Sequence, residues 1–190
     1  MILYPTETLY ALGVHALDPI ELSKLFALKE RDKSKAASWL VRSLEDIKKY
    51  ADVSPLAEKI AEAFLPGSVT LVLKAHIHIS DECVAPDRTI GFRISSDPIA
   101  QQLIATFMEE HHAPLTCTSA NVSGAPTLPT PGEILQQFGE QARAITRVID
   151  DGPRKGLAST IVRVIKDEMT ILREGELTEM HIRKTIGLSY

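Results

Sequence analysis

Apolar residues along this chain fall into short runs typical of strands and longer stretches with helical spacing. The short runs are rich in β-branched and aromatic residues and are bounded by proline, glycine or polar residues, which favours buried strands. Strands are predicted at 2–4, 38–41, 69–73, 89–94, 115–118, 148–149, 159–164 and 169–173. Only four residues precede Pro5, so we expect the first strand to be short or exposed.

Helices are predicted where a capping residue precedes apolar positions at helical spacing. Asp18, followed by Pro19, begins one such stretch, which extends to Lys29. Further helices are predicted at 43–49, 54–64, 97–107 and 132–138, and Thr178 caps a closing helix. Residues 6–13 are predicted to form a loop, and the prolines between 126 and 131 an extended surface loop or flap. This mixture of elements indicates an α/β domain built around one twisted, mixed sheet.

Composition limits the class of protein. The 190 residues, 44% of them hydrophobic, suffice for one domain with its own core, and we treat 1–190 as that domain. The formal net charge of -4 argues against a surface built entirely for nucleic acid. Cys83 and Cys117 have no metal-ligand spacing and are predicted to be free thiols. We find no signal-peptide pattern and no apolar run of about 18 residues, so we expect a cytoplasmic protein.

Four polar segments lie beside the predicted strands and helices and are the candidates for chemistry. The most informative is LTCTSANVSG, where a strand-like run passes into small hydroxyl and amide residues. Such side chains bind phosphate or nucleotide oxygens through short, neutral hydrogen bonds. The four segments are 4–13, 29–31, 115–124 and 158–160. We expect them to form one polar pocket.

Two of these segments have two interpretations each. Lys29 and Arg31 follow a predicted helix. They are either solvated charges at its C-terminus, where cations are favoured without any ligand, or a clamp for phosphate or carboxylate oxygens. Residues 6–8 either form a turn that satisfies its own backbone or present a ligand-binding surface beside Tyr10. The sequence leaves both alternatives open.

Several common kinds of site are not indicated. The chain has no GxSxG elbow, no GxxxxGK[ST] loop and no GxGxxG after a strand. The paired histidines, His76 with His78 and His111 with His112, lack further ligands at workable spacing and are predicted to lie at the surface. We therefore predict no metal site formed by protein side chains.

A set of motifs in a fixed order carries a resemblance to a known family. The motifs are PTETLYALG at 5–13, Lys29-x-Arg31, PGSVT at 66–70, TIGFR at 89–93, SANVSG at 119–124, STI at 159–161 and LREG at 172–175. In this order they resemble the YrdC-domain family, the threonylcarbamoyl-adenylate synthases of tRNA modification. The resemblance implies a single α/β domain whose twisted, open mixed sheet is flanked by helices and surrounds a large concave cavity.

The resemblance also implies a reaction and a set of site residues. L-threonine, bicarbonate and ATP would give threonylcarbamoyl-adenylate and pyrophosphate, with Mg²⁺ accompanying ATP and a partner enzyme transferring the product to tRNA. The residues at threonine-binding positions are Thr6, Arg93, Cys117 and Ser159. The residues at ATP-binding positions are Lys29, Arg31, Thr89, Ser119, Asn121, Thr127 and Arg173, of which Lys29 and Arg31 are also the candidate catalytic groups.

Two alternative functions compete with the synthase. The first is a non-catalytic RNA-binding or ribosome-associated module that contacts RNA or tRNA through the basic run between Lys24 and Lys49. The cations of this run are Lys24, Lys29, Arg31, Lys33, Lys35, Arg42, Lys48 and Lys49. The second is a family member that acts on another carbamoyl or acyl-phosphate compound.

Overall fold

The strands and helices lie close to their predicted positions. The computed structural model describes residues 1–32 and 36–188. The strands in this part are β1 (Ile2–Pro5), β2 (Tyr10–Gly13), β3 (Trp39–Leu40), β4 (Val69–Lys74), β5 (Thr89–Arg93), β6 (Leu115–Thr116), β7 (Thr118–Ser119), β8 (Arg147–Val148), β9 (Thr160–Ile165) and β10 (Glu168–Arg173). The α-helices are α1 (Pro19–Leu28), α2 (Leu44–Lys48), α3 (Pro55–Phe64), α4 (Pro98–His111), α5 (Pro131–Phe138) and α6 (Glu179–Thr185).

The predicted helix caps are confirmed. The Asp18 side chain accepts hydrogen bonds from the first backbone N–H groups of α1, and Thr178 caps α6 in the same way. Helix α4 continues to His111, beyond the predicted end at 107, and ends where His112 adopts a left-handed backbone with φ of 52°.

The strands form two mixed sheets, so the prediction of a single sheet is wrong, although the α/β class with open mixed sheets is confirmed. The four-stranded sheet has the order β7-β2-β1-β8, and the six-stranded sheet has the order β10-β9-β4-β5-β3-β6. The predicted strand 115–118 breaks at Cys117: β6 pairs with β3 in one sheet, whereas β7 pairs with β2 in the other. The predicted loop 6–13 is wrong in its second half, because residues 10–13 pair with β1 as β2.

The two faces of the six-stranded sheet have different environments. Leu71, Phe92 and Val162 point into the main apolar core. Because side chains alternate along a strand, Thr70 and Ile161 point to the opposite face, where both line a polar cleft. This face of the sheet is the floor of the candidate site.

An irregularity in β10 places the side chain of Arg173 on the cleft face of the six-stranded sheet. Ile171 pairs with Val162, and Arg173, two residues later, pairs with the next residue of β9, Ile161. Leu172 is therefore the extra residue of a β-bulge. Without the bulge, alternation would place Arg173 on the core face with Ile171; with it, Arg173 lines the cleft.

A second apolar cluster lies beneath α4. Leu103 and Ile104 of this helix pack with Tyr4 of β1 and Leu40 of β3, so the helix covers the junction of the two sheets. Within the described ranges, we find no helix with the length and apolar character that crossing a membrane requires.

Candidate functional site

The cleft lies where the two sheets meet, and the predicted polar segments converge on it. Its volume is about 120 Å³. An adjoining cavity of about 450 Å³ contains Lys29 and Asn121, and the two spaces share Arg31 and Ser119. The predicted pocket is therefore present as two adjoining compartments.

Three guanidinium groups line the smaller compartment: Arg31, Arg93 and Arg173. Burial and the charge of Arg173 lower the pKa of Arg31, and burial and the charge of Arg93 lower the pKa of Arg173. Like charges brought together in a partly desolvated cleft repel one another, and a bound anion relieves that repulsion. The electrostatics of the cleft therefore favour a negatively charged ligand.

Arg31 and Arg173 also bind the walls of the cleft. Arg31 donates hydrogen bonds to Thr118 Oγ1 at 3.2 Å and to the backbone oxygen of Ala36 at 2.8 Å. Arg173 donates one to the backbone oxygen of Ser159 at 2.7 Å. These contacts fix the direction of each guanidinium group.

Lys29 is buried, with 1% of its surface exposed, so the interpretation as a solvated helix end is wrong for this residue. Its Nζ donates hydrogen bonds to the backbone oxygens of Ser119 and Asn121, the latter at 2.8 Å. In the other direction, the backbone N–H of Ser123 donates to the Lys29 oxygen at 2.8 Å. Burial and the charge of Arg31 lower the pKa of Lys29 to about 7. Lys29 thus holds the loop 119–123.

The same loop is closed by its own side chains. Ser119 Oγ donates to Asn121 Oδ1 at 2.6 Å, and Asn121 Nδ2 donates to the backbone oxygens of Val122 and Ala125 at 3.0 and 2.7 Å. These bonds leave the loop with a fixed shape beside the larger compartment.

The turn that contains Thr6 satisfies its own backbone and also lines the cleft, so both interpretations of this segment hold. Thr6 Oγ1 donates to the Leu9 oxygen at 2.7 Å and accepts from the backbone N–H groups of Thr8 and Leu9, each at 3.2 Å. On the opposite wall, Ser159 Oγ lies 2.8 Å from Thr70 Oγ1. Thr6, Thr70 and Ser159 therefore all place hydroxyl groups in the lining of the cleft.

Arg93 is held by a neighbouring carboxylate. Its Nη2 donates to Glu7, whose other carboxylate oxygen accepts from Ser95 Oγ. Arg93 Nε is buried and has no hydrogen-bond partner among the described residues. A buried donor normally has a partner, so this nitrogen is an unsatisfied polar atom beside the cleft.

Cys117 lies at the junction between the sheets, next to Tyr4. Burial raises the pKa of the Cys117 thiol, and burial and Cys117 raise the pKa of Tyr4. Both Cys83 and Cys117 are buried and free of disulfide bonds. At neutral pH the Cys117 thiol is protonated, which disfavours a role as nucleophile.

Two residues expected at the ATP site lie elsewhere. Thr89 is at the opposite end of β5 from Arg93, about 13 Å away along the strand; it lines a separate cavity with Arg163 and donates to Asp87 at 2.7 Å. Thr127 is exposed in the proline-containing segment and lies outside the lining of both compartments. The structure therefore brings together the other predicted site residues but not these two.

The basic run between Lys24 and Lys49 does not form one exposed basic surface. Lys24 is paired with Glu21 at 2.7 Å, and Lys48 with Glu58 at 2.8 Å. Arg42 and Lys49 both form ion pairs with Asp46. Lys33 and Lys35 lie outside the described residues. Much of the charge is thus neutralised locally.

Sequence patterns missed two contributors to the site. Thr70 is the one hydroxyl residue within the apolar run of β4, and a polar residue in a buried strand could have identified it as a cleft residue. Arg154 donates to the backbone oxygen of Thr6 at 3.0 Å, a contact over 148 residues that no local pattern indicates. Among the described residues, we find no group of three histidine, cysteine or carboxylate side chains able to hold a metal ion.

Comparison with known proteins gives consistent matches. A sequence model of the family Sua5_yciO_yrdC, described as Telomere recombination, matches residues 1–175. The chain is 39% identical over 171 residues to a Methanocaldococcus jannaschii protein named "Putative threonylcarbamoyl-AMP synthase", covering 90% of this chain and 77% of that one. It is 33% identical over 180 residues to the threonylcarbamoyl-AMP synthase of Vibrio parahaemolyticus, covering 92% of each.

A solved structure provides a further match. The crystal structure of Pyrococcus abyssi Sua5 complexed with L-threonine superposes with a TM-score of 0.86 at 30% identity. The match covers 98% of this chain and 53% of the Pyrococcus chain, so this chain spans about half the length of that protein.

Proposed function

Because the chain belongs to the Sua5, YciO and YrdC family, we propose that it is an L-threonylcarbamoyladenylate synthase. The enzyme forms threonylcarbamoyl-AMP and pyrophosphate from L-threonine, bicarbonate and ATP, for the threonylcarbamoyladenosine modification of tRNA. The matches to threonylcarbamoyl-AMP synthases from archaea and bacteria support this activity.

The observation that carries the proposal within this chain is the cluster of Arg31, Arg93 and Arg173 in one cleft with hydroxyl groups. The substrates fit this chemistry, because ATP and bicarbonate are anions and L-threonine carries a carboxylate. Arginine binds such oxygens through paired hydrogen bonds. The smaller compartment suits the amino acid together with the phosphate that reacts beside it, near Arg173. The larger one suits the rest of the nucleotide.

The reaction requires no covalent bond to the protein. The threonine amine attacks the bicarbonate carbon, and loss of water leaves a carbamate. A carbamate oxygen then attacks the α-phosphorus of ATP, and the bond to the β-phosphate breaks, releasing pyrophosphate. Negative charge moves onto oxygens in both steps, so fixed cations and hydroxyl donors lower the barrier by positioning and charge stabilisation.

We assign the residues of the site accordingly. Thr6, Arg93, Cys117 and Ser159 surround L-threonine. Lys29, Arg31, Ser119, Asn121 and Arg173 serve the ATP side: Arg31 and Arg173 contact phosphate oxygens, and Lys29 fixes the loop that carries Ser119 and Asn121. Thr89 and Thr127 are left out of this assignment because of where they lie.

Mg²⁺ enters as part of the Mg·ATP substrate. The described residues lining the smaller compartment include no carboxylate, and both Glu7 oxygens accept hydrogen bonds from Arg93 and Ser95. Glu30 and Asp32 line the larger compartment, but no three histidine, cysteine or carboxylate side chains lie together among the described residues. The donor set therefore does not fit a protein cage for the ion, and the phosphate oxygens of ATP would be its main ligands.

The product is a reactive mixed anhydride, so a transferase that passes the threonylcarbamoyl group to tRNA is the expected partner. The alternative RNA-binding module is not favoured, because carboxylates neutralise much of the basic run that motivated it.

The test is pyrophosphate release by the purified chain with L-threonine, bicarbonate and Mg·ATP, each omitted in turn. We expect release that depends on every substrate and is lost in Arg31→Met. The matched control, Arg147→Met, changes an exposed arginine of β8 and should retain activity. Release that is independent of threonine would contradict the proposal, and RNA binding at low salt without any release would favour the binding module.

A further inference from the structure

The segment that joins β8 to β9 crosses the outside of the cleft. We call residues 150–158 the strap. Residues 151–153 and 155–157 are exposed, so the strap buries little apolar surface. A segment of this kind is held mainly by its polar contacts.

Some of those polar contacts are made with Pro129 and Glu176. The others are made with Tyr10 at the start of β2 and with the turn before it, which contains Thr6. Tyr10 Oη accepts a hydrogen bond from the backbone N–H of Asp151 at 3.0 Å and donates one to the Gly152 oxygen at 2.8 Å. A Cβ atom at Gly156 would lie 2.9 Å from the Thr8 oxygen, so the strap packs directly against the turn.

Arg154 is the centre of this contact. Its side chain is 17% exposed, and its Nε donates to the Thr6 oxygen at 3.0 Å. Its Nη2 donates to Asp97 Oδ2 at 3.0 Å, and its Nη1 donates to the Asp151 oxygen at 2.7 Å. One guanidinium group thus joins the turn, the strap and the start of α4.

Asp97 connects this contact to Arg93. The other carboxylate oxygen of Asp97 caps α4, and its backbone N–H donates to Ser95 Oγ at 3.2 Å. Ser95 in turn donates to Glu7, which accepts from Arg93. The peptide between Thr6 and Glu7 is therefore held on both sides, by Arg154 at its carbonyl and by this hydrogen-bonded chain at the Glu7 side chain.

We propose that Arg154, which lies outside the lining of the cleft, is a positioning residue for the amino-acid compartment. It fixes the Thr6 carbonyl and, through Asp97, the orientation of Glu7 and Arg93. The identity of the ligand as L-threonine rests on the proposed function. The larger compartment is bounded by other elements, the segment 29–32 and the loop 119–124, so the effect of Arg154 is selective for the amino acid.

The first test compares Michaelis constants. Arg154→Met should raise the KM for L-threonine about tenfold, the effect of losing one strong interaction, and leave the KM for ATP unchanged. Arg154→Lys retains the charge and should restore part of the loss. Arg143→Met, which removes an ion-paired arginine whose side chain is 78% exposed, should change neither constant.

A second variant keeps the proposal testable if Arg154→Met fails to fold. Asp97→Asn preserves the cap of α4, because asparagine caps as well as aspartate, and weakens only the charged contact with Arg154. We expect a smaller rise in the threonine KM in the same direction. An unchanged threonine KM, or an equal rise in both Michaelis constants, would overturn the proposal.

Amide hydrogen exchange separates this proposal from the proposed function. The Thr8 and Leu9 N–H groups donate to Thr6 Oγ1, so both should exchange faster in Arg154→Met than in the wild type without any ligand. If the wild type makes no product, the proposed function fails, and the exchange rates still decide whether Arg154 holds the turn. Unchanged exchange would overturn its positioning role.

Discussion

The Nζ of Lys29 donates a 2.8 Å hydrogen bond to the backbone oxygen of Asn121, which is 92 residues away in the chain. A buried amine that is used in this way holds a loop, and it also supplies charge when it is protonated. The loop closes the larger compartment, so we expect Lys29 to affect ATP mainly through the position of Ser119 and Asn121.

Replacing Lys29 by methionine should therefore weaken ATP binding more than threonine binding. The Ser119 and Asn121 oxygens lose their donor, and each unsatisfied buried acceptor costs about 1–3 kcal/mol. We expect ATP affinity to fall at least about tenfold and threonine affinity to stay near that of the wild type, as measured by calorimetry. Lys24→Met, at an exposed lysine paired with Glu21, is the control. Equal ATP affinity in Lys29→Met and the wild type would contradict the assigned role.

The lowered pKa of Lys29 predicts a dependence of stability on pH. Between its folded pKa of about 7 and its usual value of 10.5, the unfolded chain binds more protons at this site than the folded chain. The free energy of unfolding therefore rises with pH in this window, by at most about 1.4 kcal/mol per pH unit. Urea unfolding at pH 7, 8 and 9 should show this rise in the wild type relative to Lys29→Met. If the free energy of unfolding changes with pH equally in the two proteins, the Lys29 amine is not desolvated.

Replacing Arg173 by methionine should remove the stabilisation that ATP gives to the fold. At an ATP concentration of about 100 times Kd, ligand binding stabilises the wild type by about 2.7 kcal/mol. Arg173 reaches the cleft only because of the bulge at Leu172. Thermal unfolding with and without Mg·ATP measures this stabilisation. If Arg173→Met retains the full rise in Tm on addition of Mg·ATP, the phosphates do not bind at Arg173.

Cys117→Ala should retain most of the catalytic rate. Burial raises the pKa of this thiol, and the reaction needs no nucleophile from the protein. Losing a catalytic nucleophile costs on the order of 10⁶ in kcat, whereas we expect kcat to stay within about tenfold of the wild type because the substitution removes contacts with Tyr4 and the substrate but no reacting group. Single-turnover kinetics provide the measurement, and the appearance of a covalent adduct at Cys117 would contradict the mechanism.

Local features of the fold could be predicted from the sequence because their causes are local. Asp18 and Thr178 cap helices through side chains that reach only the next turn. Alternation on β4 and β5 predicts the face on which a residue lies, and Thr89 does share a face with Arg93. Alternation does not say which end of the sheet carries the site, and Thr89 lies at the opposite end of β5 from Arg93, beside a different cavity.

Features that depend on distant pairing could not be predicted. The break at Cys117 arises because β6 and β7 pair with strands of different sheets. The bulge at Leu172 is defined by its register with β9. The contact from Arg154 to Thr6 spans most of the chain, and neither residue lies in a sequence pattern that indicates the other.

The measurement that tests the proposed synthase activity most directly is mass spectrometry of the product formed from ¹³C-bicarbonate, L-threonine and Mg·ATP. We expect threonylcarbamoyl-AMP that is one mass unit heavier than the product from ordinary bicarbonate, with an equal amount of pyrophosphate, and neither product in Arg31→Met. Hydrolysis of ATP without a labelled adduct containing threonine, by wild-type protein that binds both ligands, would contradict it.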